Sequence, residues 1–306
     1  MEYKKISVLI VTYNQADVIG RNIESILQQR EYGLHEIVIC DDCSPDNNWE
    51  VIQSYVEKYP NIIRAYRNNP NLGIYGNSDK CASLHGDADL FCWLEGDDAL
   101  CDGFFKVIQE TIMGQKIDVS RPVAIQTNYK IKYPDGKEMS VYNGYLSKRN
   151  CNSVSAKIRG LTTWRASVFS ASVINCFKPT LLDRGLALAE GLFDLQWFKY
   201  ANRFYYANID GSIYYAEIGV SVNLNGEEKE KWATETVDKW KFLAKNELIS
   251  RRDILFAKGQ MYLAKFRINN SFVTYIAYFI YTLLGSIGYP ISLHSALTYL
   301  KYVKRF

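Results

Sequence analysis

Between residues 91 and 100 the chain reads FCWLEGDDAL, an apolar run that ends in three carboxylates, Glu95, Asp97 and Asp98, within four positions. Carboxylates this close repel one another, so the stretch is either a solvated turn or a place that calls for positive charge. A second acidic pair, Asp41 and Asp42, follows the apolar run EIVIC at 36–40. Turn and helix-cap chemistry accounts for Asp46, and for either member of the pair taken singly. It does not account for acidic loops recurring after successive strands. A sheet edge lined with carboxylates is a poor direct cradle for phosphate, since anion would meet anion. Mg2+ or Mn2+ resolves the conflict, because these ions take oxygen ligands and bridge carboxylate to diphosphate.

Such an edge requires elements that deliver the loops to one place. ISVLIV (6–11) is a continuous β-branched run of the kind buried on both faces of a parallel sheet. Ile19, Ile23, Ile26 and Leu27 then recur at helical spacing, and Ile52, Tyr55, Val56 and Tyr59 do so again before Pro60 stops the helix. IIRAY (62–66) and LFCWL (90–94) supply two more strands. Strand and helix in alternation predict an α/β, doubly wound, mostly parallel sheet, Rossmann-like, with ligands at the carboxyl ends of its strands. The loops found there are Thr12-Tyr13-Asn14, Asp41 to Asp46, and Glu95 to Asp98. Further on, 119–131 predicts a strand, Tyr133-Pro134-Asp135-Gly136 a turn into a hairpin, and 140–160, without a clear period, a loop.

Composition narrows the classes. A chain of 306 residues, 48% hydrophobic, can bury a large core, and a net charge of +3 with no long basic block gives no reason to expect nucleic acid as a partner. The six apolar residues near the start are too few for a signal peptide, and seven scattered cysteines fit a reducing cytoplasm. Cys40 and Cys43 have CxxC spacing without a second pair, and His35, His85 and His294 have no partner at ligand spacing, so all five read as structural. No GxGxxG follows a predicted strand, which disfavours a dehydrogenase. VTYNQ stands where a sugar nucleotidyltransferase would carry a glycine-rich basic loop.

The segments ISVLIVTYNQADVIGRNIESILQQ, EIVICDDCSPDNNWEVI, NPNLGIYGN and FCWLEGDD, in that order over roughly the first 110 residues, resemble the nucleotide-binding half of the family 2 glycosyltransferases, which have the GT-A fold. The resemblance implies that Thr12 and Tyr13, with Asn14 in the same loop, line a uracil pocket, that Asp42 hydrogen-bonds the base and that Asp41 supports that loop. It implies that Asn71, Gly73 and Asn77 run under the nucleotide. Glu95 to Asp98 match the acidic DxD element in an EGDD form, with Glu95 in place of the usual first Asp, Asp97 toward the ribose and diphosphate, and Asp98, with Asp97, as metal ligand. A second signature resembles AEGLFDLQWFKYANRFYYANIDGSIYYAEI, where Asp194, read as standing at the head of a helix, matches the catalytic base and Tyr214-Tyr215 the tyrosine strand. Phe193 stands where the family usually has a residue adjacent to that Asp in a Glu-Asp or Gly-Asp pair, and Glu190 is the nearest other carboxylate.

The C-terminal third changes character. From Ile268 to Leu300 there is no charged residue, but Gly285, Gly288 and Pro290 leave an apolar helix of only thirteen residues at 272–284. Such a helix is ~20 Å long against a ~30 Å hydrocarbon core. The tail places Leu293, Ala296, Leu297, Leu300 and Val303 on one face with Lys301 and Arg305 flanking it, which reads as lying on the inner face of the cytoplasmic membrane, or as a helical pair packed on the domain or on a second subunit, with a true span as the third reading. The expected organisation is a GT-A domain at 1–225, with 1–118 binding the nucleotide sugar and 119–225 facing the acceptor, and a helical segment at 226–306. The expected activity is inverting, metal-dependent transfer of a sugar from a UDP-sugar to a glycan or lipid-linked glycan in surface-polysaccharide synthesis. A non-catalytic nucleotide-sugar sensor or scaffold is the rival reading.

Overall fold

The structure, a computed structural model, describes residues 2–178, 186–216, 249–269, 271–287 and 289. The apolar runs of the first hundred residues form β1 (Ile6–Thr12), β2 (Leu34–Asp41), β3 (Ile63–Arg67) and β4 (Leu90–Glu95), linked by α1 (Ile19–Leu27), α2 (Asn48–Lys58) and α3 (Gly73–Ser83). There follow β5 (Ala99–Leu100), α4 (Phe104–Gly114), β6 (Val123–Lys132), β7 (Glu138–Val141), α5 (Tyr145–Lys148), α6 (Ser153–Ile158), β8 (Ser167–Ser170), α7 (Ala171–Ile174), α8 (Leu186–Tyr200) and β9 (Arg203–Tyr215). Two further helices are α9 (Arg251–Asn269) and α10 (Phe272–Gly285).

The sheet runs β3-β2-β1-β4-β8-β6-β9-β5, with β7 on β6. β1 lies parallel to both β2 and β4, Thr12 opposite Asp41 and Val11 opposite Glu95. This register brings the polar ends of three strands to one level. Beyond β4 the sheet is mixed: β8 is antiparallel to β4 and β6, while β6 and β9 run parallel. Ile6, Val8, Ile10, Ile37, Ile39 and Leu90 pack with Ile19, Ile23 and Ile26 of α1 and with Phe104, Phe105 and Ile108 of α4 in one core. Each such side chain contributes ~1.5–3 kcal/mol on burial, so the strand ends stand on a stiff base.

The 140–160 stretch, expected as a loop, holds α5 and α6 instead, of four and six residues. One or two turns are too short to display a 3.6-residue repeat, which is why the sequence shows no period there. Two compact units emerge, Met1–Ser153 with Leu161–Asn223, and Val154–Gly160 with Leu224–Phe306. The second therefore takes a short excursion out of the stretch that the sequence reading assigned to the acceptor side.

In that second unit α9 and α10 pack through glycines. A Cβ on Gly259 would lie 2.9 Å from the Thr282 nitrogen, and one on Gly285 would lie 2.6 Å from Phe256 Cα, so the two backbones approach where a side chain could not fit. Tyr262 stacks on Tyr281 at 5.5 Å, and Arg159 makes a buried ion pair with Asp253. On α10 and just past its end, Phe272, Val273, Ile276, Phe279, Ile280, Leu283, Leu284 and Ile287 are exposed, a continuous helical stripe. No helix among the described residues is long and apolar enough to cross a membrane. The charged stretch before residue 249 and the amphipathic tail from 290 onward, with Leu293, Lys301 and Arg305, lie outside the described residues.

Candidate active site

The loop after β2 is built around two buried carboxylates with different surroundings. Asp41 is fully buried, and its Oδ1 accepts from Asn48 Nδ2 at 2.7 Å and from the Ser44 hydroxyl, while Arg67 lies 3.4 Å from Oδ2. Every one of these partners shapes the loop itself. Asp42 Oδ1 accepts from Asn68 Nδ2 and from the Leu72 backbone N–H, both at 2.8 Å. Its carbonyl accepts from Asn71 Nδ2 at 2.6 Å, and its own N–H donates to Thr12 O at 3.0 Å. Asn77 accepts from Asn68 and donates to Cys40 O, each at 2.9 Å. Gly73, at φ +73° where only glycine is unstrained, opens α3 beside them. Thr12 is buried, Tyr13 is 40% exposed, and Asn14 takes a positive φ while its N–H donates to Ser44.

The acidic turn after β4 sits against β1 and α1. A Cβ on Gly96 would come within 2.8 Å of Thr12 Cβ and closer still to Gln15, so the turn can approach the first loop only with glycine at that position. Asn22 of α1 donates one amide to Glu95 O at 2.8 Å and to Asp98 O at 3.0 Å, and Arg21 donates to Asp97 O at 2.7 Å. β5 follows at once and pairs antiparallel with β9, Ala99 opposite Ile213, which brings Tyr214 and Tyr215 to the acidic turn. The Arg21 guanidinium lies 3.6 Å from the Tyr215 ring centroid.

Four residues of this site carry no legible signal in the sequence, Arg165 foremost. Arg165, immediately ahead of β8, donates to Asp98 Oδ2 through Nη1 and to Glu95 Oε2 through Nη2 at 3.0 Å, and its guanidinium covers the Tyr214 ring at 4.6 Å. The only hint in the sequence is a Trp-Arg pair before an apolar strand, 67 positions beyond Asp98. Asn22, Asn48 and Asn68 were likewise illegible, because an asparagine on a helix or loop carries no pattern that names its distant partner.

The electrostatics follow from burial. Burial, and then Glu95 beside it, push the Asp97 carboxyl up to about 6. Burial raises Asp98 well above the usual carboxylate range, with Arg165 pulling the other way, so the charge on Asp98 depends on having a cation at hand. Burial works against the charge on Arg165 too, but Glu95 and Asp98 outweigh it and hold that guanidinium firmly protonated. Asp98 Oδ1 is buried and meets no donor at ordinary hydrogen-bond geometry among the described residues, although the Tyr215 backbone N–H lies near enough to the carboxylate to favour its charged form. A buried carboxylate oxygen without a donor costs ~1–3 kcal/mol or more, and a cation would relieve it. Among the described residues no three His, Cys, Asp or Glu side chains converge as a metal-ligand set.

Asp194 calls for a correction. The sequence reading put it at the head of a helix, but α8 begins at Leu186, so Asp194 lies mid-helix and caps nothing. Leu-Ala-Leu-Ala-Glu, at 186–190, are good helix formers, and the helix runs on through Gly191, which weakens it by only ~1 kcal/mol, to Asp194. Its Oδ1 accepts from Trp164 Nε1 at 3.0 Å, and Trp164 adjoins Arg165, so Asp194 reaches the acidic turn through two neighbouring side chains. Phe193 and Trp197, on either side, pack on Trp93 of β4 at 4.8 and 6.2 Å. Glu190 falls on the same helix, its side chain outside the described set.

Comparison with known proteins adds the following. The model of Glycosyl transferase family 2 matches residues 7–172. Abequosyltransferase RfbV of Salmonella typhimurium is 28% identical over 197 residues, 57% of this chain and 58% of that protein. The crystal structure of S. aureus TarS 1-349 in complex with UDP-GlcNAc superposes with a TM-score of 0.54 at 17% identity, covering 93% of this chain and 92% of that one. Mannosyltransferase PcManGT from Pyrobaculum calidifontis, in complex with GDP-Man and Mn2+, superposes at 0.55 with 12% identity, over 100% of this chain and 82% of that one. The chain matches only about a third of the length of other curated relatives. The shared architecture is the α/β, Rossmann-like GT-A fold.

Proposed function

This chain belongs to glycosyl transferase family 2, and from that premise we propose that it transfers a sugar from a nucleotide sugar, a UDP-sugar, to a hydroxyl of a glycan or lipid-linked glycan during surface-polysaccharide synthesis. The observation that carries the reading is the common level of Thr12, Asp41 and the acidic turn at Glu95–Asp98, with a buried Asp98 oxygen left without a hydrogen-bond donor among the described residues. In this reading Thr12, Tyr13, Asn14 and Asp42 take the base, while Asn71, Gly73 and Asn77 hold the floor beneath the nucleotide and Asp41 holds the loop. Asp97 and Asp98 would hold Mn2+ or Mg2+, which would supply charge stabilisation for a departing diphosphate. Asp194 takes the proton of the acceptor hydroxyl, and attack opposite the leaving group gives inversion. The proteins of similar sequence and the similar structures bound to UDP-GlcNAc, or to GDP-Man with Mn2+, support this assignment. A donor screen that reads release of nucleoside diphosphate with and without Mn2+ tests it; no turnover on any UDP-sugar across a broad acceptor panel would replace it with the sensor.

The base pocket makes the first prediction. Asp42→Ala removes the acceptor that Asn68 and the Leu72 N–H share, and with it the proposed contact to the base, so UDP binding should weaken by roughly 1.5–3 kcal/mol. Calorimetry giving an unchanged affinity would take Asp42 out of the site.

The reading also places the protein peripherally on a membrane surface through the exposed stripe of α10, whose ~20 Å length suits lying on a bilayer rather than crossing one. Changing Phe272, Ile276 and Phe279 together to serine should cut co-sedimentation with phospholipid vesicles several-fold and leave donor hydrolysis intact. Unaltered sedimentation would assign the stripe to a protein partner instead.

A further inference from the structure

We propose that Arg165 is a built-in counter-ion that competes with the divalent cation for Asp98, so that the cation is held well only when the nucleotide diphosphate arrives with it. The inference rests on the metal reading of Asp97 and Asp98. Its own ground is the geometry of Arg165: one nitrogen on Asp98 Oδ2, the other on Glu95 Oε2 at 3.0 Å, and the plane of the group over Tyr214. Asp98 is 1% exposed, and the carboxylate therefore meets the guanidinium with little water between them. A doubly charged ion on the same carboxylate would stand beside a fixed positive charge in a poorly screened pocket, where like charges repel strongly.

The charge count points the same way. Even with Glu95, Asp97 and Asp98 all ionised, three carboxylates face two guanidiniums, Arg165 and Arg21, the latter donating through its terminal nitrogen to Asp97 O. One excess negative charge is a weak attractor for a divalent ion. A diphosphate adds oxygen ligands for the ion and acceptors for the guanidinium together, so it relieves the competition from both sides. The remaining oxygen, Asp98 Oδ1, is buried without a donor among the described residues, which leaves it available to the ion once Arg165 turns away from Oδ2. Metal and nucleotide are then coupled, each raising the affinity of the other by the same factor. A cell would gain a site that stays closed to stray divalent ions until a donor is present.

The experiment measures Mn2+ binding, by electron paramagnetic resonance titration of free Mn2+, in the full chain, in Arg165→Gln and in Arg165→Lys, without nucleotide and with saturating UDP. Without UDP, Arg165→Gln should bind Mn2+ on the order of tenfold more tightly than the parent, and Arg165→Lys, which keeps the charge, should gain far less. The gain on adding UDP should be correspondingly smaller in Arg165→Gln. Equal nucleotide-free affinity in parent and Arg165→Gln, with tight binding in both once UDP is added, would overturn the role of Arg165 and leave the metal reading standing. No Mn2+ binding in any form, with or without UDP, would overturn both. Should Arg165→Gln fail to fold, the parent alone decides: the guanidinium resonances of Arg165, followed by 15N NMR, should shift when UDP and Mg2+ are added together, as the group exchanges Asp98 for the diphosphate, and stay in place with Mg2+ alone. Resonances that stay in place in the ternary complex would overturn the proposal.

Discussion

Asp194→Asn is expected to lower sugar transfer by ~100-fold or more while leaving the affinity for UDP-sugar and metal as in the parent. Asparagine keeps the shape of the side chain and can still accept from Trp164 Nε1, so the helix and the packing of Phe193 and Trp197 should be retained. What it cannot do is take a proton. The loss should therefore fall on the rate with saturating donor and acceptor, since binding does not need the base. Glu190→Gln is the companion experiment, because Glu190 lies one turn away on α8. Transfer within a few-fold of the parent in Asp194→Asn, together with a collapse in Glu190→Gln, would move the base to Glu190. Normal transfer in both would place it elsewhere.

Chelation is expected to abolish donor hydrolysis and transfer, with activity returning on addition of Mn2+, and Asp98→Asn should lose ~100-fold to 1,000-fold in transfer even with metal present. A variant at this position must also be shown to fold. Breaking a buried ion pair by removing one partner can cost ~3–5 kcal/mol, because it strands the other charge. Two features soften that cost here. Arg165 retains Glu95 as a partner, and burial already disfavours the charged form of Asp98. Asp98→Asn should then melt within a few degrees of the parent, so that lost activity reports chemistry and not unfolding. Full activity in EDTA would remove the metal from the mechanism.

The four strands of the first hundred residues, with α1 and α2, could be read directly, because parallel strands buried on both faces need continuous β-branched runs and those helices carry a 3.6-residue apolar repeat; α3, GIYGNSDKCAS, carries no such apolar repeat and was not read as a helix. The acidic turn was visible for the same local reason, since Glu95, Asp97 and Asp98 fall within four positions, whereas the close approach at Gly96 emerged only from the fold. Asp194 was visible as a residue but not in its setting, since no local signal fixed where α8 begins and its placement mid-helix emerged only from the fold. Partners far apart in the chain could not be read at all. Arg165 meets Asp98 because β8 lies beside β4 and Arg165 stands just ahead of it, and Tyr214 meets both because β5 pairs with β9. Sequence therefore determined which elements form and which loops bear charge, both of which depend on neighbours a few positions apart. Which cation faces which carboxylate was left to strand order and register, which are set by burial of the whole sheet and leave no trace in the spacing of the residues concerned.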